Sequence, residues 1–267
     1  MVQPDRSFTR MDAVDFGRTA QDYSRHRAGF PPDFFARVAP WGIGVPGQEV
    51  LDLGTGTGSV SRGFALRGCR VTGLDPSQAM LTQAEELDRA TGVAVRYVCA
   101  RAEASGLSDA MFEVISAGQC WHWFDRAQVA AECFRLLRGG GSVLIGHFDW
   151  PPLPGSVVEA TEALIRKYNP QWQMGGGTGV YPDWFADLSG AGFVGLESLS
   201  FDLDQPYSHD AWRGRIRASA GIAASLPAEA VGRFDEDHAT LLRERFSEQP
   251  LRVPHRVFAL VGRKVHR

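Results

Sequence analysis

The 267-residue chain is poor in cysteine and contains no long apolar segment. Cys69, Cys99, Cys120 and Cys133 are widely spaced and form no C-x-x-C pair, which favours reduced thiols over a zinc site or a disulfide framework. No apolar run approaches the roughly 20 residues that span a bilayer, and residues 1–10 lack the apolar core of a secretion signal. We therefore expect a cytoplasmic protein with no metal site and no membrane partner.

Excess positive charge is absent as well. The chain has 28 Lys and Arg against 31 Asp and Glu, so its formal net charge is −3. No basic field attracts the chain to nucleic acid, and we expect no nucleic-acid partner. The length is sufficient for one large core, which favours a single elaborated domain, as a monomer or homodimer.

A glycine loop between two apolar segments is the most informative feature of the sequence. Residues 50–58 are Val-Leu-Asp-Leu-Gly-Thr-Gly-Thr-Gly, and residues 71–75 are Val-Thr-Gly-Leu-Asp. The pattern predicts a buried strand, a glycine loop that opens a helix, and a second strand that ends in Asp75. This carboxylate lies about 20 residues beyond the first glycine, where it can accept hydrogen bonds from ribose hydroxyls. The segment therefore indicates a nucleotide-type ligand at the carboxyl ends of a parallel sheet.

Details of the loop distinguish between nucleotides. The glycines Gly54, Gly56 and Gly58 have the spacing G-x-G-x-G, and Ser59 stands where a dinucleotide fingerprint has its third small residue. No Gly-Lys-Ser/Thr follows, which disfavours a P-loop. Asp52 would repel a pyrophosphate but suits a ligand with a positive amino group. The alternative interpretation is that this carboxylate merely caps the loop.

Strands and helices alternate along the chain, which predicts an α/β fold with a mostly parallel sheet and helices on both faces. We expect an N-terminal helical cover (1–45), a Rossmann-like core (46–150), a variable cap insertion (151–192) and C-terminal elements that complete the same domain (193–267). The predicted strands are 48–53, 70–74, 93–99, 111–117, 142–147, 193–201 and 252–261. The predicted helices are 15–24, 32–39, 59–66, 77–90, 125–137, 157–168, 182–189, 209–220 and 228–246.

The acidic-x-Gly-x-Gly-x-Gly segment, followed by the carboxylate of Asp75, resembles the class I S-adenosylmethionine-dependent methyltransferases. Their cofactor carries an ammonium and a sulfonium but no phosphate, which agrees with the charge of Asp52. The resemblance implies a seven-stranded, mostly parallel sheet of order 3-2-1-4-5-7-6 with the last strand antiparallel and a helical cap. It also implies S-adenosyl-L-methionine as cofactor and S-adenosyl-L-homocysteine as product.

Three further segments are similar to the type-11 methyltransferase family and its trans-aconitate methyltransferase-like subgroup. They are residues 100–103, which are similar to a segment that lines the adenine, residues 118–125 (Gly-Gln-Cys-Trp-His-Trp-Phe-Asp), and residues 22–31. Arg101 departs from the small or acidic residue that is usual at its position, and Ala28 departs from proline. The resemblance implies cofactor contacts from Asp52, Gly54, Thr55, Gly56, Gly58, Asp75, Pro76, Ala102, Glu103, Gln119, Tyr23 and Arg27.

The segment after the fourth strand supplies the catalytic candidates. His122 is a candidate general base, and the alternative is a structural histidine between two tryptophans. Gln119 is a neutral amide that could orient the acceptor or the donor. Trp121, Trp150 and Arg217 are the candidate acceptor contacts. Arg213 and Arg217 share one helix face, which points either at the pocket, for an anionic acceptor, or at water.

Methyl transfer to a small molecule, directed to the oxygen of a carboxylate or hydroxyl, is the function that these residues predict. The alternatives are transfer to the nitrogen or carbon of a secondary metabolite, and non-catalytic binding of S-adenosylmethionine. A nicotinamide dehydrogenase is disfavoured by Ser59 and by the charge of Asp52. The glycine-rich segment 175–179 could serve as the hinge of a lid that excludes water.

Overall fold

The computed structural model describes residues 29–219, 221–223 and 225–266. These residues form one seven-stranded sheet of order β3-β2-β1-β4-β5-β7-β6. The strands are β1 (Glu49–Leu53), β2 (Arg70–Asp75), β3 (Val95–Cys99), β4 (Phe112–Gly118), β5 (Leu137–Asp149), β6 (Val194–Tyr207) and β7 (Leu251–Arg263). Strands β1 to β5 are parallel, whereas β7 is antiparallel to both β5 and β6. The predicted strand order and the antiparallel last strand are confirmed.

Helices connect the strands and cover the sheet. They are α1 (Pro32–Val38), α2 (Ser59–Ala65), α3 (Gln78–Thr91), α4 (Arg126–Leu136), α5 (Val157–Tyr168), α6 (Asp183–Gly190), α7 (His209–Arg217) and α8 (Ala228–Arg245). Ser77 and Asp125 cap α3 and α4, because each side chain accepts a hydrogen bond from a backbone amide of the first turn. The predicted helix over residues 15–24 lies outside the described residues. None of the described helices is long and apolar enough to cross a membrane.

Two strands differ from their predicted bounds. Strand β5 begins at Leu137, directly after α4, and continues through Gly139-Gly140-Gly141, which lie between the predicted helix 125–137 and the predicted strand 142–147. A side chain at Gly141 would approach the Glu113 carbonyl to 2.9 Å, so these glycines allow a close backbone approach at a register shift. Strand β6 extends to Tyr207 and includes Pro206, which an edge strand tolerates.

The buried residues divide between the two faces of the sheet. In β1, Leu51 and Leu53 belong to the cluster on one face of the sheet. Val50, which precedes Leu51, belongs to the cluster on the other face. A third cluster lies among α5, α7 and α8. Strands β2 and β4 flank β1 on opposite sides, so the chain reverses its winding there, and the carboxyl ends of these strands border a crevice.

Candidate functional site

The carboxylate of Asp52 lies at the end of β1 and is almost fully buried, with 1% exposure. It accepts hydrogen bonds from the hydroxyls of Thr55 (2.8 Å), Ser61 (2.9 Å) and Ser116 (2.7 Å). Burial raises the pKa of Asp52, and the three hydroxyl bonds oppose that shift. These bonds hold the glycine loop and β4 against the end of β1. The carboxylate therefore organises the loop, and it also lines the cavity described below.

The three glycines of the loop have different roles. All adopt positive φ, which L side chains rarely adopt. A side chain at Gly54 would collide with Cys120, and one at Gly58 would collide with the hydroxyl of Tyr97. At Gly56 a Cβ atom would meet nothing within 4 Å. Gly54 and Gly56 line the cavity, whereas Gly58 permits close packing behind it.

Asp75 ends β2 and faces the glycine loop. Its Oδ2 accepts a hydrogen bond from the Gly56 amide at 2.9 Å, and its Oδ1 accepts one from the Ser77 amide at 2.9 Å. Burial raises the pKa of this carboxyl, and the two backbone bonds oppose that shift. Each carboxylate oxygen has a further lone pair, so the group can still accept hydrogen bonds from vicinal hydroxyls of a ligand.

The segments after β2 and β3 form the next part of the wall. Pro76, Arg101, Ala102 and Glu103 all line the cavity. Ala102 is 3% exposed, and Glu103 accepts a hydrogen bond from the Asp125 amide at 3.2 Å. The exposed Arg101 forms an ion pair with Glu103 at 3.5 Å.

The cavity has a volume of about 1020 Å³ and runs from the glycine loop towards α5 and α7. Small-molecule sites occupy roughly 300–1,000 Å³, so this volume is at the upper end of that range. Its far part is lined by aromatic and polar side chains from several elements. These are His122, Trp123, His147, Trp150, Trp172, Tyr181, Trp184 and Arg215.

Gln119 joins the ends of β4 and β5 beside the cavity. Its φ is +64°, an unfavourable conformation for a residue with a side chain. The side chain accepts a hydrogen bond from the Phe148 amide at 2.5 Å, while its own amide donates to Asp149 at 3.2 Å. The backbone amide donates to the Gly146 carbonyl at 2.8 Å. These bonds over-determine the conformation, which keeps the turn after β4 in one geometry.

Two histidines lie together on the wall formed by these strands. His122 is in a short 3-10 turn after β4, and its ring centre is 5.5 Å from that of His147 in β5. The His147 Nε2 atom is 3.4 Å from the Gln119 amide nitrogen and 3.8 Å from an oxygen of Asp149. His147 is also in contact with the ring of Tyr181. The predicted candidate His122 therefore shares the cavity wall with a second histidine that sequence reasoning did not identify.

Helix α5 contributes a buried carboxylate to the wall of the cavity. Glu162 is 2% exposed and accepts hydrogen bonds from the Trp150 indole (3.2 Å), the Gly176 amide (2.8 Å) and the Arg166 guanidinium (3.0 Å). Burial raises the pKa of Glu162, and these donors oppose that shift. One side chain thus fixes both the predicted acceptor contact Trp150 and the glycine-rich segment.

Two predicted acceptor contacts do not line the cavity. Trp121 is fully buried in the core, and its indole donates to Asp187 of α6 at 3.0 Å. The ring is large and apolar, and α6 supplies the partner for its single polar atom, so it packs away from the crevice. Arg217 donates to Asp235 of α8 at 2.7 Å, so its helix face packs against α8. Neither placement supports the predicted contact with the acceptor.

Arg215, two residues before Arg217, lines the cavity instead. Arg215, Ser219 and His147 were not identified as site residues from the sequence. The alternation of Arg213, Arg215 and Arg217 was the available signal, but it left open which face of the helix points inwards. The predicted cofactor contacts Tyr23 and Arg27 lie outside the described residues.

The glycine loop and Asp75 fit S-adenosylmethionine. The open side of Gly56 gives a ligand access to the loop backbone, and Asp75 offers acceptor oxygens for ribose hydroxyls. Asp52 places negative charge behind the loop, where a phosphate would be repelled and an ammonium favoured. Residues 54–59 contain no basic side chain that would neutralise a pyrophosphate.

Comparison with known proteins agrees with this geometry. Residues 51–145 match the family model described as "Methyltransferase domain". An uncharacterized methyltransferase of Mycobacterium tuberculosis is 32% identical over 158 residues, which cover 59% of this chain and 62% of the relative. A malonyl-[acyl-carrier protein] O-methyltransferase of Enterobacter lignolyticus is 36% identical over 167 residues, covering 58% of this chain and 60% of the relative. The matches thus span less than two thirds of these relatives.

A solved structure extends the fold comparison over nearly the whole chain. The phosphoethanolamine N-methyltransferase 2 of Haemonchus contortus, in complex with phosphomonomethylethanolamine and S-adenosylhomocysteine, has a TM-score of 0.57 and 18% identity. The alignment covers 94% of this chain and 58% of that one. With the sheet order, these findings show that residues 51–145 are similar to the methyltransferase domain of that family model and that the chain shares the fold of the solved methyltransferase.

Proposed function

We propose that the protein transfers the methyl group of S-adenosylmethionine to an oxygen atom of a small-molecule acceptor. One observation carries the proposal: Asp75 is held by the Gly56 and Ser77 amides with its oxygens at the open side of the glycine loop. This arrangement suits a ribose, and Asp52 behind the loop suits the positive end of the donor. The cavity of about 1020 Å³ has room for an acceptor beside the donor.

When bound, the donor supplies an electrophilic methyl group. The residues of the chain then have to orient the acceptor in line with that methyl group and exclude water, and such positioning provides much of the rate. The oxygen and the nitrogen of the Gln119 side chain are both hydrogen-bonded, and the residue lines the cavity. This fixed position suits it to orient either substrate. Tyr181 and Trp184 stack with ring centres 4.1 Å apart and form a rigid apolar wall.

An oxygen acceptor is favoured by the polar groups of the far part of the cavity. The amide of Gln119, the guanidinium of Arg215 and the ring of His122 offer hydrogen-bond donors, which suit the oxygens of a carboxylate or hydroxyl. An acceptor hydroxyl requires removal of a proton, and His122 is the candidate general base. The O-methyltransferase among the relatives supports the same choice. The rival is transfer to nitrogen or carbon.

Calorimetric titration of the full chain tests the cofactor assignment. S-adenosylhomocysteine should bind with a micromolar Kd, and NADH, added as the control, should not bind. Equal or preferential binding of NADH would refute the proposal. Turnover of radiolabelled S-adenosylmethionine with matched carboxylic acids, phenols and amines then tests the accepting atom. Transfer to the amines alone would refute oxygen as the acceptor while leaving the cofactor assignment intact.

A further inference from the structure

One end of the cavity is formed by α7 and the turn that follows it. Arg215, Ala218, Ser219 and Gly221 line this end together with Trp150. None of them belongs to the glycine loop or to the segments after β2 and β3, which make up the cofactor side. Three of these residues are small, and they line the cavity together with the guanidinium-bearing Arg215.

The guanidinium of Arg215 is held in a fixed position at this end. The residue is only 6% exposed, and its guanidinium carbon lies 4.6 Å from the ring centre of Trp150. Its Nη2 atom is 3.8 Å from an oxygen of Asp149, an ion-pair distance longer than a hydrogen bond. Since the Trp150 indole is itself bonded to Glu162, the surface on which the guanidinium stacks is rigid.

Ser219 provides a second, independent observation. Its hydroxyl oxygen is buried and has no hydrogen-bond partner in the part of the chain that the structure describes. Buried hydroxyls are nearly always paired in folded proteins, so an orphaned one in a cavity wall points to a group that arrives with a ligand. A guanidinium can only donate hydrogen bonds, and a hydroxyl can donate one. The complementary group is therefore an acceptor of several hydrogen bonds with negative charge.

The carboxylates near this end are already engaged by donors. Glu162 accepts three hydrogen bonds, from Trp150, Gly176 and Arg166. Asp149 accepts bonds from the Gln119 side chain at 3.2 Å and from the Trp150 amide at 2.9 Å. The oxygens of both carboxylates are thus engaged by fixed donors, and Arg215 and Ser219 line the same end of the cavity.

We propose that Arg215, Ser219 and the ring of Trp150 form a subsite for a carboxylate group of the methyl acceptor, separate from the atom that is methylated. The proposal rests on the proposed function, because it assigns this end of the cavity to the acceptor. The carboxylate lies against the guanidinium with the body of the acceptor directed towards Gln119 and the glycine loop. Arg215 would then determine specificity by selecting anionic acceptors over neutral ones.

The test uses the full chain saturated with S-adenosylhomocysteine, titrated calorimetrically with benzoate, phenylacetate and 3-phenylpropionate and with the three matching amides. Each pair differs in charge but has nearly the same shape. A charge-assisted hydrogen bond to a buried guanidinium should make at least one carboxylate bind ten- to a hundredfold more tightly than its amide. Arg215→Met should abolish this preference without changing the Kd for S-adenosylhomocysteine, and Arg215→Lys should restore part of it.

Ser219→Ala should lower the affinity for the preferred carboxylate by about two- to tenfold while the affinity for its amide changes less. The matched control is Arg213→Met, on the same helix, because Arg213 is bonded to Asp235 and does not line the cavity. Carboxylates that bind no better than amides, or a preference that survives in Arg215→Met or disappears in Arg213→Met, would overturn the subsite. Failure of the wild-type chain to bind S-adenosylhomocysteine would instead overturn the proposed function.

Discussion

The carboxylate of Glu162 in α5 accepts a hydrogen bond of 2.8 Å from the backbone amide of Gly176. Through this bond a buried side chain attaches the glycine-rich segment to the wall of the cavity. Because the same carboxylate accepts a bond from Trp150, the segment and the predicted acceptor contact share one anchor. The position of the glycine-rich segment therefore depends on Glu162, a residue to which we assign no direct part in methyl transfer.

Glu162→Gln should loosen the glycine-rich segment. The amide has one acceptor oxygen in place of two, so it cannot satisfy Gly176, Trp150 and Arg166 together, and one of these donors is left unpaired. We expect hydrogen exchange at Gly176 to accelerate by about ten- to a hundredfold, which corresponds to roughly 1.5–3 kcal/mol. KM for the acceptor should rise more than kcat falls.

The control for this change is Glu159→Gln on the same helix. Glu159 is exposed, and its carboxylate accepts a hydrogen bond of 2.7 Å from the amide of Gly155, which precedes the helix. It should leave exchange at Gly176 unchanged. Slow exchange at Gly176 in Glu162→Gln would show that other contacts hold the segment.

Asp75→Ala should weaken the binding of S-adenosylhomocysteine by about 1–3 kcal/mol, or roughly ten- to a hundredfold in Kd. The substitution removes the acceptor for ribose hydroxyls and also leaves the Gly56 and Ser77 amides without their partner. Calorimetry measures the loss, with Asp204→Ala on the edge strand β6 as the control. An unchanged Kd would contradict the assignment of Asp75 to the cofactor.

His122→Ala should lower kcat by about a hundredfold for an acceptor hydroxyl, since the variant lacks the candidate general base. A carboxylate acceptor is already ionised at neutral pH and should react at nearly the wild-type rate. His209→Ala, outside the cavity, is the control. A normal rate with a hydroxyl acceptor, in a folded variant, would support the structural interpretation of His122.

The stability of the protein should fall in acid because of His238. This histidine is fully buried in α8, and burial lowers its pKa from 6.5 to about 4, against the attraction of nearby Asp235. Its Nε2 is 3.2 Å from the Thr161 hydroxyl, and within the described residues its Nδ1 has no partner. The unfolded chain binds this proton more readily, so stability is full above pH 6.5 and is lost as the pH falls towards 4.

The expected loss from this one group is about 3 kcal/mol at pH 4. Urea unfolding of wild type and His238→Gln across that pH range isolates it, because acid titration of the carboxylates is common to both proteins. The difference in unfolding free energy between them should shrink or reverse on acidification. A difference independent of pH would mean that His238 is not neutral and buried in solution.

The part of the site next to β1 and β2 could be predicted from sequence because its residues are adjacent in the chain. The glycine loop, Asp52 and Asp75 follow strands whose ends are marked by the apolar pattern, and parallel strands bring those ends together. Their positions in the wall of the cavity agree with the prediction, although their ligand contacts stay predictions.

The acceptor side was less accessible because it depends on how helices rotate against their neighbours. Arg215 and Arg217 are two residues apart on one helix. Arg213 and Arg217 bond Asp235 of α8, whereas Arg215 lines the cavity. Likewise, Trp121 could have pointed to either side of the turn after β4. Its burial against Asp187 follows from the position of α6, which no local pattern specifies.

The insertion of β7 between β5 and β6 has a consequence for biosynthesis. Within the part of the chain that the structure describes, β6 pairs with β7 alone, and β7 alone pairs with the outer edge of β5. Until residues 251–263 have left the ribosome, two long strand edges therefore remain without partners, and such edges promote aggregation. We expect the second half of the sheet to close only once residues 251–263 are available, so that nascent chains stalled before residue 251 depend on chaperones.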